Sequence, residues 1–148
     1  MVRREMARRP DPDEAPALAS FVRATLGCGC PEEVFRDLRI RLHPRGFLGL
    51  PVEGVLEVGG RLLVVVCTPE AWRDVAQVLP TLLAAGQRIR DGAGFNRLRI
   101  VVPTARTEAV ASSLGPRFSR LADADGRSFL HVVECSQVPA ALVQPADG

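Results

Sequence analysis

Lysine and tyrosine are both missing from this chain of 148 residues; all 19 of its basic residues are arginine. Without lysine there is no amine nucleophile, no Schiff base and no P-loop lysine, and without tyrosine there is no phenolic acid. Histidine is scarce as well, with His43 and His131 the only two, so imidazole chemistry has little to work with. The longest strictly apolar run, Leu62 to Cys67, falls far short of the ~20 residues that span a bilayer. The basic start runs into Pro10-Asp11-Pro12-Asp13-Glu14 instead of an apolar stretch. Neither an export signal nor a membrane span is expected, and the location expected is cytoplasmic.

What is present suits a globular fold. Apolar residues make up 47% and charged residues 24%, a balance that argues against disorder. A mass of 16.0 kDa fits a single domain. The net charge of +2 is unevenly spread. Arg3, Arg4, Arg8 and Arg9 against Glu5 make the first ten residues locally +3, leaving −1 for the rest. With a near-neutral body and 5% aromatics, nucleic acid is not an expected partner. Four cysteines without an export signal suit a reducing compartment, where thiols stay free, bind metal or do redox work.

Hydrophobic periodicity sets out the elements. Residues 1–12 read as a basic flexible arm, residues 13–138 as one α/β domain, and residues 139–148 as a C-terminal tail. A helix capped by Asp13 carries Leu18, Phe21, Val22 and Leu26 on one stripe and ends at Gly27. A second helix starts at Pro31, with Glu32 and Glu33 in its first turn, and fades into Arg39–Leu42. Strands at Val52–Val58 and Arg61–Cys67 flank Gly59-Gly60, a two-residue hairpin signal. A long helical pattern from Pro69 to Gly92 follows, with Trp72 on its core face and Pro80 inside it, so a kink or break is expected there. Then come a strand at Arg97–Val102 and a helix from Thr107 to Leu114, stopped by Gly115-Pro116. Arg117–Ala122 and Arg127–Cys135 flank Asp123–Gly126 as a second hairpin. These elements make an α/β (α+β) fold: one mixed, roughly five-stranded sheet with helices packed on it. It contains one βαβ crossover and two β-hairpins.

The least generic segment is Leu26-Gly27-Cys28-Gly29-Cys30-Pro31. Glycines on both sides of Cys28 permit a tight turn, and Pro31 starts a helix whose free N–H groups favour a thiolate at Cys30. Glu32 and Glu33 oppose that effect. Three chemistries compete. Both thiolates can ligate a soft ion (zinc, copper or part of an iron–sulfur cluster), with further ligands from Cys67, Cys135, His43, His131 or a second subunit. The pair can cycle between dithiol and disulfide. One cysteine can serve as a nucleophile, although no histidine is near it in sequence. Set against these, Cys28 and Cys30 read equally well as small apolar packing residues. Cys67 and Cys135, taken singly, continue apolar strands and read as core.

A weaker candidate is Thr104-Ala105-Arg106-Thr107, between a strand and a helix, where Thr104, Arg106 and Thr107 can hold an anion or merely cap the helix. No glycine-rich nucleotide motif occurs. Two functions therefore stand: a soft-metal-binding or redox thiol module built on Cys28-x-Cys30, or a non-catalytic interaction or sensory module. The second would be a homo-oligomer or bind a protein partner through a sheet edge or the Trp72–Ile89 helix.

Overall fold

The computed structural model describes residues 6–143. Arg3, Arg4 and Glu5 of the basic arm, and residues 144–148 of the tail, lie outside them. Six strands form one sheet in sequential order: β1 (Met6–Arg8), β2 (Leu38–Leu42), β3 (Val52–Val58), β4 (Leu62–Cys67), β5 (Arg97–Pro103) and β6 (Ser128–Val133). β1 to β4 run antiparallel, and β4, β5 and β6 run parallel. The parallel strands are linked by α2 (Trp72–Ala93) and α3 (Thr107–Ala122), while α1 (Ala15–Ser20) precedes β2.

β4 is the centre because all six of its residues are buried. Leu63, Val65 and Cys67 face a core shared with α2 and α3. Leu62, Val64 and Val66 face the other core, closed by Leu18, Phe21, Val22 and Leu26. A strand apolar on both faces needs a layer on each side, and the two cores supply them. The β3–β4 hairpin turns as expected at Gly59 and Gly60, both at positive φ (57° and 66°), which only glycine adopts cheaply. On α2, Gly86 lies so close to the Leu98 side chain that a Cβ would stand 2.8 Å from its Cδ2.

Five expectations change. The expected strand Arg117–Ala122 is the second half of α3, so β6 follows a second strand–helix–strand crossover and not a hairpin. Val110, Leu114, Phe118 and Ala122 recur at steps of four and are all buried. Burying Phe118 alone is worth roughly 1.5–3 kcal/mol, comparable to the ~3 kcal/mol that Pro116 removes from a helix. Secondly, Arg39–Leu42 belongs to β2: Leu38 and Ile40 are buried while Arg39 points outward, a period of two. The segment after Pro31 is accordingly only a 3₁₀ stretch, Glu32–Arg36.

Thirdly, part of the expected loose arm is ordered. Met6, Ala7 and Arg8 pair with Leu42, Arg41 and Ile40, and Arg8 donates to the Glu14 carboxylate at 2.6 and 2.8 Å. With β1 and β2 added and residues 117–122 removed, the sheet has six strands. Fourthly, of the kink or break expected at Pro80, the break does not occur: α2 is one helix from Trp72 to Ala93. Proline leaves the carbonyl four residues earlier without its helical donor. That carbonyl, on Ala76, accepts from Nη2 of Arg117 on α3 at 2.8 Å. Trp72, expected in the core, is half-buried at its rim with Arg73 stacked on it at 5.2 Å.

Candidate functional site

The stripe that buries α1 continues through a wider π-turn, Phe21–Thr25, and stops at Gly27, whose φ is +69°. The Cys28 N–H donates back to the Val22 carbonyl at 3.1 Å, which pins the turn to the helix end. Cys28 and Cys30 are half-buried against the second core, their sulfurs 2.06 Å apart at disulfide distance. Pro31, extended at φ −61° and ψ 152°, then leads into the 3₁₀ stretch.

The pair forms one wall of a cleft of about 250 Å³. Across from it stand Arg61 at the entry to β4, and Asn96 and Arg97 at the entry to β5. The parallel pairing of β4 and β5 brings these entries side by side: the Asn96 and Arg97 N–H groups both donate to the Arg61 carbonyl, at 2.7 and 3.2 Å. Both guanidinium groups are on exposed residues, and among the described residues neither has a carboxylate partner. Among the described residues, no acidic one lines the cleft.

Behind Arg97 on the same face of β5 lies Arg99, only 7% exposed. Its Nη1 donates to the Leu26 carbonyl at 3.0 Å and lies 2.8 Å from Nε2 of His131. Its guanidinium stacks on Phe129 at 4.9 Å, and Arg97 lies over the same ring at 6.0 Å. Among the described residues, Nε of Arg99 has no partner. Burial, and next the charge of Arg97, lower the Arg99 pKa. Burial, and next Arg99, push His131 down to about 4. His131 is therefore neutral near pH 7 and its Nε2 serves as acceptor, which places its proton on Nδ1. Arg99 thus ties the last residue before the Gly27-Cys28 turn to the sheet.

The other cysteines do not join the pair. Cys67 is fully buried on the opposite face of the sheet, and desolvation pushes its thiol up to about 12. Cys135, read as a strand residue, instead opens a 3₁₀ turn after β6 and is exposed. Its Sγ lies 3.5 Å from Oε1 of Glu70, and burial and then that carboxylate raise its pKa. His43 stands in the loop after β2, its N–H donating to the Glu53 carbonyl at 3.2 Å. Among the described residues, no group of three or more histidine, cysteine or acidic side chains is placed to hold a metal ion.

At the start of α3, Thr104 is buried and its Oγ1 accepts the Arg106 N–H at 3.1 Å, while the Ala105 N–H donates to the Glu70 carboxylate. An internal anion, Glu70, thus occupies that position, with Arg106 exposed and Thr107 in the first turn of α3. A larger, open groove of about 480 Å³ runs between α3 and β6, but among the described residues Asp123 is the one ionisable group lining it. The reactive groups are at the smaller cleft.

Sequence reasoning found the cysteines and missed Arg61, Asn96, Arg97 and Arg99. The available signal was β5 itself: Leu98, Ile100 and Val102 share one face, so Arg97 and Arg99 had to share the other. A comparison with known protein families, curated proteins and solved structures gives no significant match.

Proposed function

We propose that this protein is a thiol–disulfide exchange module in which Cys28 and Cys30 cycle between dithiol and disulfide. The observation that carries the reading is the cleft: a half-buried cysteine pair whose only charged neighbours in the lining, among the described residues, are Arg61 and Arg97. Cations beside a thiol favour the thiolate, which is the attacking species in exchange. The same cations disfavour a soft metal ion, and the lining offers two sulfur donors where a closed tetrahedral site takes four ligands. Redox cycling is therefore preferred over binding of zinc, copper or an iron–sulfur cluster. Arg99 acts as a positioning residue through the Leu26 carbonyl.

The test is thiol counting by mass on the native protein after reduction and after oxidation. Two thiols should appear and disappear together, and Cys28→Ser/Cys30→Ser should abolish the change. Retention of about one equivalent of metal that protects both thiols from alkylation would overturn the reading. So would a pair unmoved by either reagent.

A second reading, an interaction module, draws on β6, which pairs with β5 on one side and, among the described residues, has no strand paired on its other edge. An open edge is a template for a second copy or a partner strand. The outward face of α2 carries Arg73, Asp74, Gln77, Thr81, Arg88 and Asp91 beside only small or cyclic apolar residues such as Ala84 and Pro80, which favours the sheet edge over that helix.

A further inference from the structure

We infer that the exchange partner of the cysteine pair is a small, carboxylate-bearing thiol or disulfide, held by Arg61 and Arg97. The inference rests on the exchange reading above and adds to it the class of substrate. Three observations carry it.

The cleft holds two guanidinium groups with no carboxylate partner among the described residues, and no acid lines it. Where the chain does pair an arginine it uses its own acids: Arg8 with Glu14, Arg41 with Glu57, Arg90 with Asp125. Behind the cleft, Arg99 adds a third positive charge that is more than nine-tenths buried, with an orphaned Nε and no acidic partner among the described residues. Its uncompensated charge raises the positive potential on this side of the sheet, which favours an anion nearby. Finally, the cleft's volume of about 250 Å³ is on the scale of a small ligand. Carboxylates a few bonds from the reacting sulfur can meet a guanidinium in a bidentate pair while that sulfur approaches Cys28 or Cys30.

The chemistry balances within these components. One protein thiolate attacks a sulfur of the disulfide RSSR, forming a mixed disulfide and expelling RS⁻. The second protein cysteine, as thiolate, attacks the protein-bound sulfur, closes the Cys28–Cys30 bond and expels the second RS⁻. The two protons lost by the protein thiols go to the two leaving thiolates. The protein pair gives up two electrons and RSSR takes them; reduction of the protein by two RSH is the reverse.

The experiment measures the rate at which the reduced, full-length protein is oxidised by three disulfide probes. They are 3,3′-dithiodipropionate (anionic), 2-hydroxyethyl disulfide (neutral) and cystamine (cationic), each corrected by its rate with a simple uncharged thiol. At low salt the anionic probe should lead the cationic one by about tenfold, and the lead should shrink on raising salt to about 0.5 M. Arg61→Gln/Arg97→Gln should bring the ratio near one, while Arg39→Gln, on β2 outside the cleft, should leave the ratio as in wild type. Equal corrected rates for all three probes would overturn the substrate class and leave the exchange reading standing. Oxidation by none of them would overturn both.

Discussion

Two arginines, Arg90 at 1% exposure and Arg99 at 7%, carry buried charge in opposite ways. Arg90 is fully matched: its Nη1 and Nη2 each reach the Asp125 carboxylate at 2.6 Å, Nη1 also reaches Ser128 Oγ at 3.0 Å, and Nε reaches Asp91 at 2.9 Å. Arg99 has a carbonyl, an imidazole and an aromatic ring, but no acid. The first arrangement belongs to structure, fastening the end of α2 to the loop before β6. The second leaves positive potential behind the cysteine cleft. Asp125→Ala should therefore destabilise the protein by about 3 kcal/mol in urea unfolding, because it strands a buried guanidinium. The Arg90 guanidinium, followed by Ser128 and the Arg127 N–H, holds the Asp125 carboxyl well below the usual carboxylate range. In that range the unfolded state binds more protons, so stability rises with pH. The difference between wild type and Asp125→Ala should be full above about pH 5, begin to shrink near the ordinary carboxylate value of ~3.9, and vanish only below the lowered folded value. A difference constant down to pH 2 would contradict the pairing.

At the scale of elements, α2 shows how a local rule is overruled by tertiary packing. Pro80 removes one helical donor, yet Val75, Leu79, Leu82 and Leu83 bury a continuous face across it. Arg117 donates to the Ala76 carbonyl that Pro80 leaves open. Arg117→Ala should cost about 1 kcal/mol in wild type. In a Pro80→Ala background the restored N–H of residue 80 satisfies the same carbonyl, so the cost should fall to a few tenths. A double-mutant cycle in urea measures that coupling, and equal costs in both backgrounds would show that the contact contributes through something else. The same competition explains which elements the sequence reveals. The β3–β4 hairpin was legible because Gly59-Gly60 and a double-sided apolar strand agree. The second half of α3 was not, because Gly115-Pro116 is a strong local stop and the packing that overrides it, Phe118 and Ala122 on the sheet, is non-local. β2 was hidden by its own arginines: Arg39 and Arg41 alternate with Leu38 and Ile40, but the Glu32–Arg36 segment before them invites a helical reading.

For the whole molecule, the sheet order decides where the chemistry is. The turn holding Cys28 and Cys30 stood out in the sequence by composition alone, being glycine-flanked and followed by proline. Its cationic wall did not, because Arg61 and Arg97 are 36 residues apart by their numbering and meet only through the parallel pairing of β4 with β5. Likewise the sheet separates Cys67 from the pair, a placement that no spacing rule supplies. Among the described residues no helix is long and apolar enough to cross a membrane, in keeping with the short apolar runs. The absence of lysine acquires a consequence here, since every cation near the thiols is a guanidinium, permanently charged and shaped for carboxylates. The exchange function is tested most directly by an equilibrium redox titration of the native protein, following the Cys28–Cys30 state by mass after alkylation. A single two-electron transition with a midpoint between about −120 and −300 mV, within the range of exchange-active thiol pairs, is the expected result. A pair that stays oxidised well below about −300 mV, or that never oxidises across that span, would contradict it.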